Sequence, residues 1–404
     1  MEKQTKADKI KDILEKGVEK IIDKEHLTKK LVSGKVLRVK HGVDPTGPNI
    51  HLGRAAQLLK LRAFQELGHK VVIIIGDFTA RIGDPSDKPE GRRGLTPEEI
   101  KANMSNYLEQ FSKVLDIKKT EIRYNSEWFS KMNLEDFLKI ANNFSVQQLV
   151  HRRNFKQRWT KKQPIYLPEI IYPILQGYDS VMVKADIELG GYDQLFNLKM
   201  GRILQEIYGQ ESQDIITLKM LPGLDGRKMS TSWDNIIGIV EDPYNMYGKI
   251  MSMQDELIPL YFELCTPLSF KEVKEIEKKL KEGKANPRDM KARLAFEIVS
   301  FYYGKNKARQ AEEEFIRVFR EKKRPEKIKK FFAPKKEYPI VDLLIGLGFA
   351  KSKSEAKRLI TQGGVKIDGK LQRDWKKVVK IKEGMIVQVG KLKFAEMTFN
   401  DHPD

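Results

Sequence analysis

"HGVDPTGPNIHLGRAAQLLKLRAFQELGHKVVIIIGDFT", residues 41–79, changes its hydrophobic pattern twice. Turn-forming residues lead through His51 and Gly53 into a run where Leu52, Ala56, Leu59, Ala63 and Leu67 step by three or four, which predicts a helix with one apolar face. Gly68 then stands where a helix commonly ends. The unbroken β-branched run at 71–75 predicts a strand buried on both faces of a parallel sheet, and a short strand at 36–39 precedes the turn. Strand, helix, strand is a βαβ unit, with its first loop at the carboxyl end of a strand, where doubly wound folds take their ligands. The first turn of a helix offers backbone N–H groups and the positive end of the macrodipole, so His51 as a donor and Gly53 as a point of close approach read as an anion site. A capped helix that carries a histidine by chance has the same local pattern. The rest of the chain decides between them.

Working outward, Ile10, Ile13, Leu14, Val18, Ile21 and Ile22 have helical spacing and predict an N-terminal helix packed on the body. "ADIELGGYDQLFNLKMGRIL", 185–204, repeats the strand, glycine turn and helix order. From 234 to 324 the chain is mainly helical, and "FFAPKKEYP", 331–339, reads as a linker. After it, two short helices, a Gly363–Gly364 turn and strand-rich sequence form a small module. The expected fold class is α/β, with a Rossmann-like doubly wound parallel sheet, then an α-helical domain and a small C-terminal α+β module. The expected boundaries are 1–233, 234–330, a linker at 331–338, and 339–404.

Length and charge set outer limits. A chain of 404 residues suits two or three domains, and a net charge of +19 suits a polyanionic partner such as nucleic acid. Cys265 is the only cysteine, which excludes an internal disulfide and a cysteine-cluster zinc site. The longest apolar run is far below the roughly 20 residues that span a bilayer, and the charged N-terminus lacks a signal-peptide core. A cytoplasmic protein with no membrane partner is expected.

The second decisive stretch is "LPGLDGRKMSTS", 221–232, with glycine turns, adjacent cations and three hydroxyls, a composition suited to a mobile loop over phosphates and also ordinary for a polar surface loop. "HLGR" at 51–54 resembles the first signature of class I aminoacyl-tRNA synthetases, and "KMSTS" at 228–232 resembles the second. "GVDPTGPNIHLG", "GDFTARIGDPSDK", "YPILQGYDSVMVKADIELGGYDQLFN" and "SKSEAKRLITQGGVKIDG" narrow the resemblance to the bacterial-type tyrosyl-tRNA synthetases, across nearly the whole chain.

The resemblance implies two steps, formation of tyrosyl adenylate from L-tyrosine and ATP, then transfer of the acyl group to the terminal adenosine of tRNA(Tyr). It implies a homodimer, an anticodon-binding role for the helical domain, and Mg2+ carried on the ATP phosphates with no protein-bound metal site. A carboxylate is already a nucleophile at neutral pH, so donors, cations and glycines suffice without a nucleophilic triad. Carried over by position, Thr46, His51 and Lys228 would be catalytic, acting on the phosphates. Gly53, Arg54, Lys88, Arg92, Gly191, Asp193, Ser230, Thr231 and Ser232 would complete the ATP site, although Asp193 is equally placed as a helix N-cap. Lys40, Gly42, Asp44, Asp84, Tyr172, Gln176, Asp179 and Gln194 would surround the tyrosine, with Asp179 accepting from its phenol. Tyr172, Gln176 and Asp179 share one helix face, which by itself also describes a solvated surface, and Asp84 in "DPSD" also reads as a turn residue.

Four positions depart from the family pattern: Arg54 replaces the second histidine of the first signature, and Thr231 the second lysine of the loop. Lys40 stands where many members have a phenol-contacting tyrosine, and Tyr192 where a small hydroxyl residue is usual. From 351 to 393 there are 13 Lys and Arg against four acids, hence +9, in a pattern resembling the RNA-binding module first named for a ribosomal small-subunit protein. Lys351, Lys353, Lys357, Arg358 and Lys366 are its expected RNA contacts. A tryptophanyl enzyme and an inactive synthetase-like RNA-binding protein are the alternatives.

Overall fold

The computed structural model of the chain describes residues 5–84, 94–150, 153–227, 229, 235–319, 328–390 and 393–399. They form two compact units, Met1–Ala308 and Arg309–Asp404. The first is built on a six-stranded sheet of β1 (Val18–Ile22), β2 (Arg38–Val43), β3 (Lys70–Ile75), β4 (Glu121–Tyr124), β5 (Ile187–Gly191) and β6 (Asp214–Leu218). Its order is β1-β6-β5-β2-β3-β4, parallel throughout except for the antiparallel β1 edge. The chain runs from β2 outward through β3 and β4, then returns to lay β5 on the other side of β2. That reversal is the topological switch point of a doubly wound sheet.

The helix between β2 and β3 spans Leu52–Glu66, and it buries Leu52, Ala55, Leu58, Leu61 and Phe64. The expected stripe is therefore displaced, since Leu59, Ala63 and Leu67 are only partly buried. The cause is a second packing surface, because this helix meets β3 and β5 and also the Lys6–Glu15 and Ile258–Cys265 helices. Lys60 interrupts the apolar face for a capping role: its ammonium donates to the carbonyls of Asp12 (2.8 Å), Ile13 (3.0 Å) and Lys16 (2.5 Å) at the end of the N-terminal helix. Burial pulls its pKa down to about 7.

The expected single N-terminal helix is corrected to a helix and a strand. Helix Lys6–Glu15 ends before Gly17, which adopts φ 68°, and β-branched Val18, Ile21 and Ile22 continue as edge strand β1 on β6.

Helices Leu167–Val183 and Leu195–Ile207 cross closely because glycines meet there. A Cβ on Gly177 would lie 2.8 Å from the backbone carbonyl carbon of Met200 and 3.0 Å from the nitrogen of Gly201. Beneath the first helix, buried Arg158 and Glu169 form a two-pronged pair at 2.9 and 2.8 Å. Further helices at Pro243–Ser252, Ile258–Cys265, Phe270–Lys281 and Pro287–Tyr303 give the mainly helical segment expected there.

The second unit holds β7 (Lys329–Phe332), β8 (Glu337–Pro339), β9 (Val365–Ile367), β10 (Lys370–Gln372), β11 (Val378–Lys380), β12 (Ile386–Val389) and β13 (Lys393–Thr398). Its main sheet has the order β10-β9-β12-β13-β7, and β8 pairs with β11. Helices Ile340–Gly346 and Lys353–Thr361 close a core containing Leu344, Ala356, Ile360, Val387 and Met397. The stretch expected as a linker, 331–338, belongs instead to this unit, because β7 pairs in parallel with β13 and β8 pairs with β11. Its prolines and lysines sit around short strands rather than in a free tether.

Mid-helix glycine to alanine normally gains up to about 1 kcal/mol. At Gly177 the sign should reverse, with Gly177→Ala costing about 1–3 kcal/mol as the helices are forced apart. Urea unfolding of parent and variant measures it.

Candidate active site

Strands β2 and β5 pair only at Val39–Ile187 and Lys40–Glu188, whereas β2 stays paired with β3 to Val43–Ile75 and β5 with β6 to Gly191–Leu218. Beyond Lys40 and Glu188 the two strands part, with His41 Nδ1 donating to the Leu189 carbonyl at 2.9 Å. Burial lowers the pKa of His41, so its imidazole is neutral and serves as a clasp. A cavity of about 980 Å3 opens where the strands part.

Most of the expected site residues line this cavity: Gly42, Asp44, Thr46, His51, Gly53, Arg54, Asp84, Tyr172, Gln176, Asp179, Gly191, Asp193 and Gln194. Lys88, Arg92, Lys228, Ser230, Thr231 and Ser232 lie outside the described residues. Lys351, Lys353, Lys357, Arg358 and Lys366 are exposed on the second unit, with Lys357 Nζ 4.1 Å from the Trp375 ring centre.

His51 is the residue before the Leu52–Glu66 helix, and the nitrogen of Leu52 donates to Ile237 O at 2.8 Å. A Cβ on Gly53 would stand 3.1 Å from the His51 ring and 3.5 Å from the Met229 sulfur. Glycine therefore keeps this wall thin, and buried Met229 brings the second signature stretch to the first. The flanks of that stretch are tied together. Gly223 N donates to Arg227 O (2.6 Å), Leu224 N to Asn235 O (3.2 Å), and Asn235 Nδ2 to Asp225 Oδ1 (2.8 Å). Arg54 reaches forward to donate to Thr46 Oγ1 at 2.5 Å and Tyr107 Oη at 3.1 Å.

The opposite end is rich in acceptors. Tyr172 Oη donates to Asp44 Oδ2 and Thr79 Oγ1 to Asp44 Oδ1, each at 2.8 Å. Gln194 Nε2 donates to Asp84 Oδ2 at 2.7 Å, while Asn197 Nδ2 donates to Gln176 Oε1 (2.9 Å) and Gln194 Oε1 (3.1 Å). Deeper in the cavity, Asp179 accepts from Trp128 Nε1 at 2.9 Å and from Asn125 Nδ2 at 3.5 Å. Burial raises the carboxyl of Asp44 to about 6 and that of Asp179 to about 7, the latter opposed by the Lys40 charge. Such a pocket can receive an ammonium group among Asp84, Tyr172 and Gln176, and a hydroxyl donor at Asp179.

Lys40, expected at the tyrosine, is not among the residues lining the cavity and lies behind its wall. Its fully buried ammonium donates to Ser180 Oγ (2.7 Å) and Gln176 O (2.9 Å) and pairs with Glu188 Oε1 at 2.8 Å. Sequence reasoning missed Asn125, Trp128, Asn197 and Glu188. Two signals were available: Asn125 follows β4 at a strand's carboxyl end, and Glu188 is an acid inside a buried strand.

The family model "tRNA synthetases class I (W and Y)" matches residues 33–320, and "Tyrosine--tRNA ligase SYY-like C-terminal domain" matches 320–395. The chain is 46% identical over 387 residues to a tyrosine–tRNA ligase of Thermotoga maritima, covering 96% of each chain. It is 47% identical over 390 residues to that of Moorella thermoacetica, covering 95% of this chain and 94% of the relative. The chain belongs to the tyrosine–tRNA ligase family of class I aminoacyl-tRNA synthetases.

A solved structure of the tyrosyl-tRNA synthetase of Archaeoglobus fulgidus complexed with L-tyrosine shares the fold at TM-score 0.62 and 22% identity, covering 76% of this chain and all of that one. A C-terminally truncated mitochondrial tyrosyl-tRNA synthetase of Aspergillus nidulans shares it at TM-score 0.64 and 20% identity, over 77% and 94%. Among the described residues of this synthetase no group of His, Cys, Asp or Glu could hold a metal ion, and no helix is long and apolar enough to cross a membrane.

The raised carboxyls make stability depend on pH in a stated direction. Between the ordinary aspartate value of 3.8 and about 7, folded Asp179 keeps a proton that the unfolded chain has released. Stability from this group is therefore greatest at low pH and declines as pH rises toward 7. Asp179→Asn should flatten the fall in melting temperature of the substrate-free protein between pH 5 and pH 8, compared with the parent.

Proposed function

We propose that the chain is a tyrosine–tRNA ligase that activates L-tyrosine with ATP and transfers it to the 3′-terminal adenosine of tRNA(Tyr). The observation that carries this reading is Asp179, a buried carboxylate oriented by Trp128 and Asn125 at the floor of a cavity whose other wall gathers Asp44, Asp84 and Gln176. Full-length similarity to tyrosine–tRNA ligases supports it, and the tryptophanyl alternative is not favoured.

In this reading the tyrosine phenol donates to Asp179, and the ammonium lies among Asp84, Tyr172, Gln176 and Gln194, with Asp44 behind Tyr172 and Gly42 leaving space beside the ring. The tyrosine carboxylate oxygen attacks the α-phosphorus, the bond to the bridging oxygen breaks, and pyrophosphate leaves. Thr46, His51, Arg54 and Lys228 would meet the charge that grows on the phosphates, assisted by Lys88, Arg92, Ser230, Thr231 and Ser232. Gly53, Gly191 and Asp193 would face the adenosine. Mg2+ would arrive with ATP as part of the substrate. A ribose hydroxyl of tRNA then attacks the acyl carbon and AMP departs. No base is required for the first step, because the tyrosine carboxylate is already ionised at neutral pH.

The helices of 234–330 would take the anticodon region, and the C-terminal unit would grip RNA through its exposed lysines and Arg358. A homodimer belongs to this reading through the family likeness, and the cytoplasm is the compartment that holds its substrates.

ATP–pyrophosphate exchange measured with each of the twenty amino acids tests the reading, with tyrosine the expected substrate. Asp179→Ala should then erase selection against phenylalanine, which for tyrosine enzymes is roughly 10⁴–10⁵, a figure taken from this family itself rather than derived from the geometry. Comparison of kcat/KM for the two amino acids measures it. Replacing Lys353, Lys357 and Arg358 together by alanine should lower tRNA charging and reduce the slope of log affinity against log salt by about 2 to 3. Pyrophosphate exchange, which needs no tRNA, is the control.

A further inference from the structure

The sheet does not need a charge pair where β2 and β5 part. Burying two ions costs several kcal/mol each, and apolar residues of similar size often serve as well or better. What an ion pair adds here is direction. Glu188 can only accept, so Gln176 Nε2 donates to its Oε1 at 3.3 Å, which turns Gln176 Oε1 toward Asn197 Nδ2 at 2.9 Å. Asn197 donates onward to Gln194 Oε1 at 3.1 Å, and Gln194 Nε2 donates to Asp84 at 2.7 Å. Reversing any of these amides would set like groups against each other, donor against donor or acceptor against acceptor. From the other side, Lys40 Nζ holds Gln176 O and Ser180 Oγ, on the turn that carries Asp179.

We propose that Lys40 and Glu188 are positioning residues for amino-acid recognition: the pair fixes the amide of Gln176 at the ammonium end and holds the turn of Asp179 at the phenol end. The inference rests on the tyrosine reading above. Around Asp179 the charged and titratable groups are Lys40 on β2, Glu188 on β5, and Tyr172 on its own helix, with Asp44 beyond Tyr172. Lys40 favours the ionised carboxyl more strongly than Glu188 disfavours it.

The test is Lys40→Met combined with Glu188→Gln, which removes both charges and leaves an acceptor at 188. A folded double variant should raise KM for tyrosine about 10-fold, the loss expected for a hydrogen bond to a charged group, with kcat for pyrophosphate exchange and KM for ATP at parental values. The acid limb of kcat/KM for tyrosine should move to higher pH. Ser180→Ala, which keeps both charges and removes the hydroxyl between them, should raise the tyrosine KM by less, with the acid limb unmoved, and it decides the matter if the double variant fails to fold. Folded variants with the parental tyrosine KM and pH profile would overturn the proposal. If the parent does not activate tyrosine, the functional reading fails; if it does, and Asp179→Ala loses selectivity while these variants behave as the parent, only the positioning role fails.

Discussion

One buried ion pair, Lys40 with Glu188, marks where the central sheet stops being a sheet and becomes a binding cavity. Its cost is met by complete pairing. The three ammonium protons go to Glu188, Ser180 and Gln176, and Glu188 accepts in turn from Lys40, Gln176, Ser180 and Gln213. With its donors used and its lone pairs filled, the pair satisfies the condition under which charge is tolerable in a protein interior. Breaking it on one side would leave an uncompensated charge, at a cost of about 3–5 kcal/mol. The cavity begins one residue further on.

That arrangement depends on backbone proximity achieved elsewhere. Ser180 reaches the pair because its helix lies close against Leu195–Ile207, and the glycines at 177 and 201 permit the approach. Any side chain at 201 would meet Gln213 and Ser180 Oγ, two of the partners of Glu188. Glycine at this crossing therefore serves packing and polar satisfaction together. The same crossing brings Gln176 of one helix to Asn197 of the other, with Gln194 just before that helix, so fold and recognition share a single contact.

Much of this was legible in the residues, for identifiable reasons. The βαβ unit announced itself because strand 70–75 is apolar on both faces and the turn before His51 is dense in glycine and proline. The cavity-lining set followed from motifs that lie at strand ends, where the backbone fixes their position. Three things were not legible. The N-terminal helix and β1 share an apolar spacing that both periods accommodate, and only the turn at Gly17 divides them. Strands β7 and β8 are short, with lysines in or beside them, and they are strands only because β13 and β11 stand ready to pair with them. Lys40 differs in kind: its identity suggested a contact with the ligand, but direction is set by the pleat, and Glu188 on the neighbouring strand captures it.

The pair also accounts for how a site with several acids can work at neutral pH. Asp179 is buried and Asp44 partly so, and desolvation drives each toward its protonated form, useless for accepting a strong hydrogen bond from an ammonium or a phenol. Counter-charge has to be supplied without occupying the cavity. Lys40 does this from behind the wall, acting on Asp179 through buried protein while Ser180 and the Gln176 carbonyl hold it away from the opening. Asp44 receives instead two neutral hydroxyl donors, from Tyr172 and Thr79, and no lysine. Both carboxylates thus accept two hydrogen bonds, Asp44 from Tyr172 and Thr79 and Asp179 from Trp128 and Asn125, and Asp179 has the Lys40 charge in addition.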